Sequence, residues 1–234
     1  MNFVAHAALA LEQREDPALA LGAMLPDLAS LCGARLAGVS NPRVAEGVRW
    51  HVASDAAFHD APLFRSLVRS ASRAGVARGL RRGIARAAAH VTIEIWLDAS
   101  LLARPGLAGF VDRALAVAQE PAVRRAITWR RPGDAPRWRA LHDRLSSRGF
   151  TRKAPTSARV ADGVVRTLAR RPRLSAQPGE LRALHAGAEQ LRGPVERSAP
   201  ALLRPPRRAL AQRAETVGSL LDLCERRLPC NTAR

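Results

Sequence analysis

Two runs of the chain carry metal-binding residue types at helical spacing: His51-x-x-x-Asp55-x-x-x-His59 and His90-x-x-x-Glu94-x-x-x-Asp98. Residues four apart lie above one another on one face of a helix. Each run therefore stacks imidazole and carboxylate along a single stripe, and two facing helices of this kind can supply a cluster inside a bundle. Zinc, manganese and iron take such nitrogen and oxygen ligands. Two ions about 3.5–4 Å apart need a bridging carboxylate and can hold a nucleophilic water beside a phosphoryl oxygen. Asp55, between two histidines, is the candidate bridge. His6 and Asp27, on separate helices, complete a set of His6, Asp27, His51, Asp55, His59, His90 and Glu94. His6, Asp27, His51 and Asp55 are expected to hold the first ion or ions. His59, His90 and Glu94 would hold a further one or orient the water.

Asp55, His51 and Asp98 are the expected catalytic group, with Asp98 accepting the second ring nitrogen of a ligating histidine. Arg49 is a candidate phosphate clamp, although a surface role is the simpler reading for one arginine among 37. A lone His-x-x-x-Asp pair is common on helix surfaces. Two extended runs among Trp50, Val52, Phe58, Val91, Ile93, Trp96 and Leu97 are less readily accidental, because polar groups sunk among apolar ones need partners.

The elements that must position these groups read as all-α. Ala, Leu and Arg dominate, aromatics are 4% and Tyr is absent, a composition of strong helix formers. Helices are expected over 2–14, 17–33 with a kink or restart at Pro26-Asp27, 43–60, 62–74, 84–103, 107–128 with a break at Pro121, 136–147, 157–170, 178–203 with a kink or split at Pro194, and 206–227. A turn is expected at 75–83 and a loop at 129–136. Residues 91–97 are β-branched enough to suggest a strand, but the ligand spacing and Ala-rich flanks favour helix. The expected organisation is a single-domain helical bundle over 1–205 with a helical extension, 206–234, packed on it.

Net charge is +18, unevenly spread. Residues 1–64 hold seven acids and four arginines, a balance of −3, which leaves +21 on the remainder. The basic part could face an acidic protein, nucleic acid or a membrane surface, or be a solvated arginine surface. Trp129 and Trp138 beside Arg130, Arg131, Arg137 and Arg139 could stack bases, though loop-anchoring packing is the more usual use. His142 and His185 stand apart from the cluster and read as packing or surface residues. Cys32, Cys224 and Cys230 make no disulfide framework, and reduced thiols in a cytoplasmic protein are expected; Cys224 with Cys230 is the one pair close enough in sequence to consider. No run approaches the ~20 apolar residues of a membrane span, and no signal peptide is evident.

Several segments together resemble the acyl-carrier-protein phosphodiesterases, helical relatives of the HD-domain phosphohydrolases. The opening Met-Asn-Phe-Val-Ala-His6 is similar to that family's start. Gly22-Ala-Met-Leu-Pro-Asp27 resembles its Gly-Asn-x-x-x-Asp segment, Gly47 through His59 its Gly-(x)₃-His-x-x-x-Asp-x-x-x-Asp helix, and Thr92 to Leu101 its later Asp-x-x-x-Asp-His-Phe-Leu helix. Leu168-Ala-Arg-Arg-Pro-Arg-Leu174 resembles its Met-Ala-x-Arg-Arg-Pro-x-Leu stretch, so the likeness spans about residues 1–205. It implies a helical hydrolase that removes phosphopantetheine from acidic acyl carrier protein with a divalent metal such as Mn²⁺. The chain departs from the pattern at His59 (Asp in the family), Glu94 (Asp), Ala99 (His) and His90 (no ligand). The altered His-x-x-x-Asp and His-x-x-x-Glu set is similar to that of zinc-dependent phospholipase C and related nucleases, which hold three zinc ions. The alternatives are therefore a phospholipase-C-like hydrolase of lipid or nucleotide phosphoesters using two or three ions, and a non-catalytic basic binding protein that keeps a degenerate site.

Overall fold

The computed structural model describes residues 1–149 and 155–213. These form ten α-helices and one two-stranded sheet: α1 (Phe3–Gln13), α2 (Pro17–Leu31), β1 (Leu36–Val39), α3 (Pro42–Asp60), α4 (Pro62–Ala77), α5 (Arg82–Leu102), α6 (Leu107–Val117), α7 (Pro121–Ala126), β2 (Ile127–Trp129), α8 (Asp134–Arg148), α9 (Ser157–Ala169) and α10 (Leu181–Leu202). Helical backbone also covers 204–213. The fold is all-α, built as a single domain, and no helix among the described residues is long and apolar enough to cross a membrane. Cys224, Cys230 and the rest of the expected last helix lie outside the described residues.

Local chemistry sets the helix starts. Asp16 accepts hydrogen bonds from the backbone N–H groups of Ala18 and Leu19, and Asn41 from Arg43 and Val44. A proline follows each cap at the first helical position, where its missing N–H costs nothing. Pro26 sits inside α2 and Pro194 and Pro200 inside α10 without ending either helix, so packing outweighs the lost backbone bond at each. Residues 91–97 are helical, and α8 begins inside the expected 129–136 loop.

The sheet is the element the sequence pattern did not suggest. β1 and β2 pair antiparallel, Val39 opposite Ile127 and Leu36 opposite Trp129. Strands of four and three residues are too short to display a period.

Residues 4–10 of α1 are all buried, which makes α1 the central helix. The principal core runs from Met1 through Trp96, Phe110 and Leu202 to Leu210, so it continues across position 205. There Arg207 also pairs with Glu12 at 2.7 Å. A smaller cluster of Leu80, Ile84, Val164, Leu168 and Leu184 joins α5, α9 and α10. Trp96 Nε1 donates to the Ala188 carbonyl at 2.8 Å, and buried Glu180 accepts from the backbone and guanidinium of Arg81. Both bonds tie α5 to the C-terminal half.

The closest helix contact is between α2 and α3. A Cβ on Gly22 would lie 2.0 Å from the Val44 carbonyl oxygen, and one on Gly47 would lie 2.1 Å from that of Leu19. Backbone meets backbone here, so no side chain can move aside. Gly22→Ala or Gly47→Ala is expected to cost at least about 1–3 kcal/mol, the usual cost of overpacking, measured as a lower urea midpoint. Gly187→Ala, on α10 with open space around it, is expected to be neutral or to stabilise by up to about 1 kcal/mol.

Candidate metal centre

The α2–α3 contact places Asp27, five residues after Gly22, against His51, four residues after Gly47. α1 packs over both and brings His6 in. The imidazoles of His6 and His51 lie 4.1 Å apart, centroid to centroid. His6 Nε2 is 3.7 Å from Asp27 Oδ2 and 3.8 Å from Asp55 Oδ1, and His51 Nε2 is 3.9 Å from Asp27 Oδ1. His6, Asp27 and His51 form one group that could hold a metal ion.

The hydrogen bonds behind these rings set their tautomers. The Ser54 hydroxyl donates to the Trp50 carbonyl at 2.8 Å. Its oxygen is thus left to accept from His6 Nδ1–H at 3.0 Å. His51 Nδ1–H donates to the Ala23 carbonyl at 2.9 Å. Each ring thereby keeps a bare Nε2 lone pair turned toward Asp27, the arrangement a metal-ligating histidine needs. His6 Nε2 and Asp27 Oδ2 are buried and have no hydrogen-bond partner among the described residues. Such orphans are rare among buried polar atoms, and a divalent cation is the ligand that would satisfy an imidazole lone pair and a carboxylate together. The donor set fits Zn²⁺ or Mn²⁺.

A second group lies alongside. His59 Nε2, His90 Nε2 and Glu94 Oε1 converge from α3 and α5 with mutual distances of 3.0–3.1 Å. Ligands about 2.0–2.1 Å from a tetrahedral ion stand about 3.3 Å apart, so these atoms are close to such spacing and could hold an ion. Asp55 joins the two groups: Oδ1 faces His6, and Oδ2 accepts from His59 Nδ1 at 3.1 Å. The amino group of Met1 lies between the carboxylates, 2.6 Å from Asp55 Oδ1 and 3.2 Å from Glu94 Oε1. Its positive charge sits where these anions attract cations.

Burial sets the charge states. It lowers the pKa of His6 to about 3 and also lowers that of His51, so both rings are neutral. It raises the pKa of Asp27 to about 7. Burial would lower the pKa of His59 as well, but hydrogen bonds to Asp55 and Glu94 raise it to about 9. Asp55 and Glu94 are held well below the carboxylate range against their own burial, chiefly by His59.

Asp98 does something other than the expected orientation of a ligating histidine. It is buried, and its two oxygens accept the backbone N–H groups of Val4 and Ala5 at 3.2 and 2.9 Å. It caps α1 from α5 and so positions His6 through the backbone, while Ser54, Ala23 and Asp55 hold the ring nitrogens. Being consumed by these bonds, it is a positioning residue and no longer a catalytic candidate. Arg49 also leaves the set: two residues before His51 means about 200° around the helix, and its side chain is exposed. Trp138 is buried against Trp129 and His142, which makes that pair packing, and His142 Nε2–H donates to the Leu115 carbonyl. His185 is half-exposed beside Asp162.

Sequence reasoning missed Ser54 and the Ala23 carbonyl. Ser54 had a signal, since it lies three residues after His51 on the same helix face, next to Asp55. A main-chain acceptor on another helix has none.

No family model, curated protein or solved structure matches this chain.

Two outcomes are expected. Asp27 ionises near 3.8 when unfolded and near 7 when folded, so folding takes up a proton between those values and stability falls as pH rises through them. In metal-free protein at pH 8, Asp27→Asn should therefore raise stability by on the order of 2 kcal/mol, below the full linkage value because the carboxylate is partly exposed. The same variant should lose the rise in Tm that wild type shows on adding Zn²⁺ or Mn²⁺. Ser54→Ala should weaken metal binding by about 10–100-fold in calorimetric titration.

Proposed function

We propose that this protein is a metal-dependent hydrolase of phosphate diesters. One observation carries the reading: two buried imidazoles with bare Nε2 lone pairs face a half-buried carboxylate, and His6 Nε2 and the buried Asp27 Oδ2 have no hydrogen-bond partner among the described residues. Asp134 Oδ1 is a third such atom, but it stands alone beside structural backbone, whereas the two orphans here face each other across one site.

His6, Asp27, His51 and Asp55 would hold one divalent ion, and His59, His90 and Glu94 a second. When bound, such ions lower the pKa of water toward ~7 and neutralise phosphoryl charge. The chain's own residues supply the rest. Ser54 and Ala23 keep His6 and His51 in the ligating tautomer. Asp55 spans both groups and accepts the Nδ1 proton of His59, so that an ion at Nε2 would take the place of the ring's second proton, which faces Glu94. The inner group is closed by α1, while Asp55, His59 and His90 are each about a third exposed on the side substrate must approach. Beside that side stand Arg65, Arg69, Arg73 and Arg86, which suit an anionic ester.

The resemblance to acyl-carrier-protein phosphodiesterases agrees in reaction class. Its carrier-protein substrate rests on the resemblance alone, and Ala99 departs from that pattern beside Asp98.

Bis(p-nitrophenyl) phosphate is the test substrate, with Mn²⁺, Zn²⁺ or no added metal. Metal-dependent, chelator-sensitive release of nitrophenolate is expected, and Asp55→Ala should reduce kcat/KM at least about 100-fold, the scale of losing one essential group. Full activity in a His51→Ala/Asp55→Ala variant, or none in wild type with any of these ions, would leave the binding-protein alternative.

A further inference from the structure

Resting on the phosphodiesterase reading, we infer that the substrate is a single-stranded nucleic acid laid across the centre and cut internally, held by arginines on both sides of the scissile bond.

Two grooves of about 630 Å³ each flank the outer half of the centre, and both are lined by Arg86 and His90. The first runs along α4 beside His59, with Arg65, Arg69, Arg73 and Arg86 on its walls. The second lies on the Glu94 side, between α5 and α9, with Arg86, Arg170 and Arg171. A chain passing from one groove to the other crosses His90 between His59 and Glu94.

The first groove is a charge ladder. Arg65, Arg69 and Arg73 stand at i, i+4 and i+8 on α4, so their side chains share one face over about 12 Å. Arg65 pairs with Asp60 and donates to the His59 carbonyl. Among the described residues no acid pairs with Arg69, Arg73, Arg86 or Arg171. Four unpaired guanidinium groups around an acid-lined centre form a track for repeated negative charge. The step of about 6 Å between rungs is of the same order as the spacing of neighbouring phosphates on an extended single strand.

Spacing selects the occupant: an extended single strand presents its phosphates one after another at about the step of the arginine ladder. Phe64 is buried against Phe58, His59 and His90 and offers no face for stacking. Recognition therefore goes through phosphates and is independent of base sequence. Because arginines continue beyond both sides of the ligand cluster, a free end is not required.

The full chain is tested in two arms. In the binding arm, with chelator, a fluorescent 20-residue oligothymidylate is titrated at several salt concentrations. Log affinity is expected to fall linearly with log salt, about 0.7 per phosphate contacted. Arg69→Ala/Arg73→Ala and, separately, Arg171→Ala should each weaken binding at least tenfold and flatten the slope. Arg159→Ala/Arg182→Ala removes two exposed arginines outside both grooves and should weaken binding less than threefold. Equal loss in the two double variants would mean a diffuse field and overturn the inference. So would equal competition by poly-glutamate of matching charge, or tighter binding to duplex. In the cleavage arm, with Mn²⁺ or Zn²⁺, a circular single strand should be opened to a linear product. An intact circle beside active hydrolysis of bis(p-nitrophenyl) phosphate refutes the substrate while the diesterase reading stands. An intact circle with no hydrolysis of the small diester refutes both.

Discussion

The approach of α2 to α3 at Gly22 and Gly47 is the constraint on which the site depends. With glycine at both positions, the two backbones close to a distance no side chain would permit. The ligand-bearing turns that follow each glycine then face one another. α1 closes over this pair because residues 4–10 present an apolar surface nearly all the way round, interrupted by His6. Asp98, reaching from α5, takes up the free N–H groups at the start of α1 and sets its height. Three helix contacts thus determine where one buried imidazole stands relative to Asp27, His51 and Asp55.

The centre has two unlike halves. In the inner half, burial removes charge: the imidazoles are neutral, and Asp27 resists ionisation because its burial outweighs the attraction of the Met1 amino group. In the outer half, charge is retained, since His59 lies between two carboxylates and keeps its proton to high pH. A divalent cation would relieve both conditions, satisfying orphaned lone pairs on one side and replacing a proton on the other. Asp55 belongs to both halves. A change at Asp55 is therefore felt at His6 and His59 together, so the two groups act as one unit.

Charge is segregated on a larger scale as well. The acids of the centre come from the first hundred residues, while α4, the start of α5 and the end of α9 contribute exposed arginines around it. Opposite charges of this kind at one opening favour a ligand that is itself anionic but that binds through a cation. A phosphate ester meets both conditions, and a chain of them meets both along its length.

Helix content, helix starts near Pro17 and Arg43, and the stripes bearing His51, Asp55, His59, His90 and Glu94 were legible in the sequence, because helix propensity and the 3.6-residue period are local properties. That those stripes carry metal-binding residue types was legible for the same reason. Other features were decided only by the tertiary structure. Asp98 shares a stripe with Glu94, yet it binds backbone because α1 happens to start against it. Arg49 adjoins the motif in sequence but lies on the far side of α3. The β1–β2 pair joins segments some ninety residues apart, too short to announce themselves. The tautomers of His6 and His51 depend on a serine and a carbonyl brought in by packing, and the arginine track becomes a groove only when α4 and α9 are set on either side of α5. Local spacing specifies what one helix can offer; which offers meet is set by how closely helices approach, and that depends on atoms far apart in the chain.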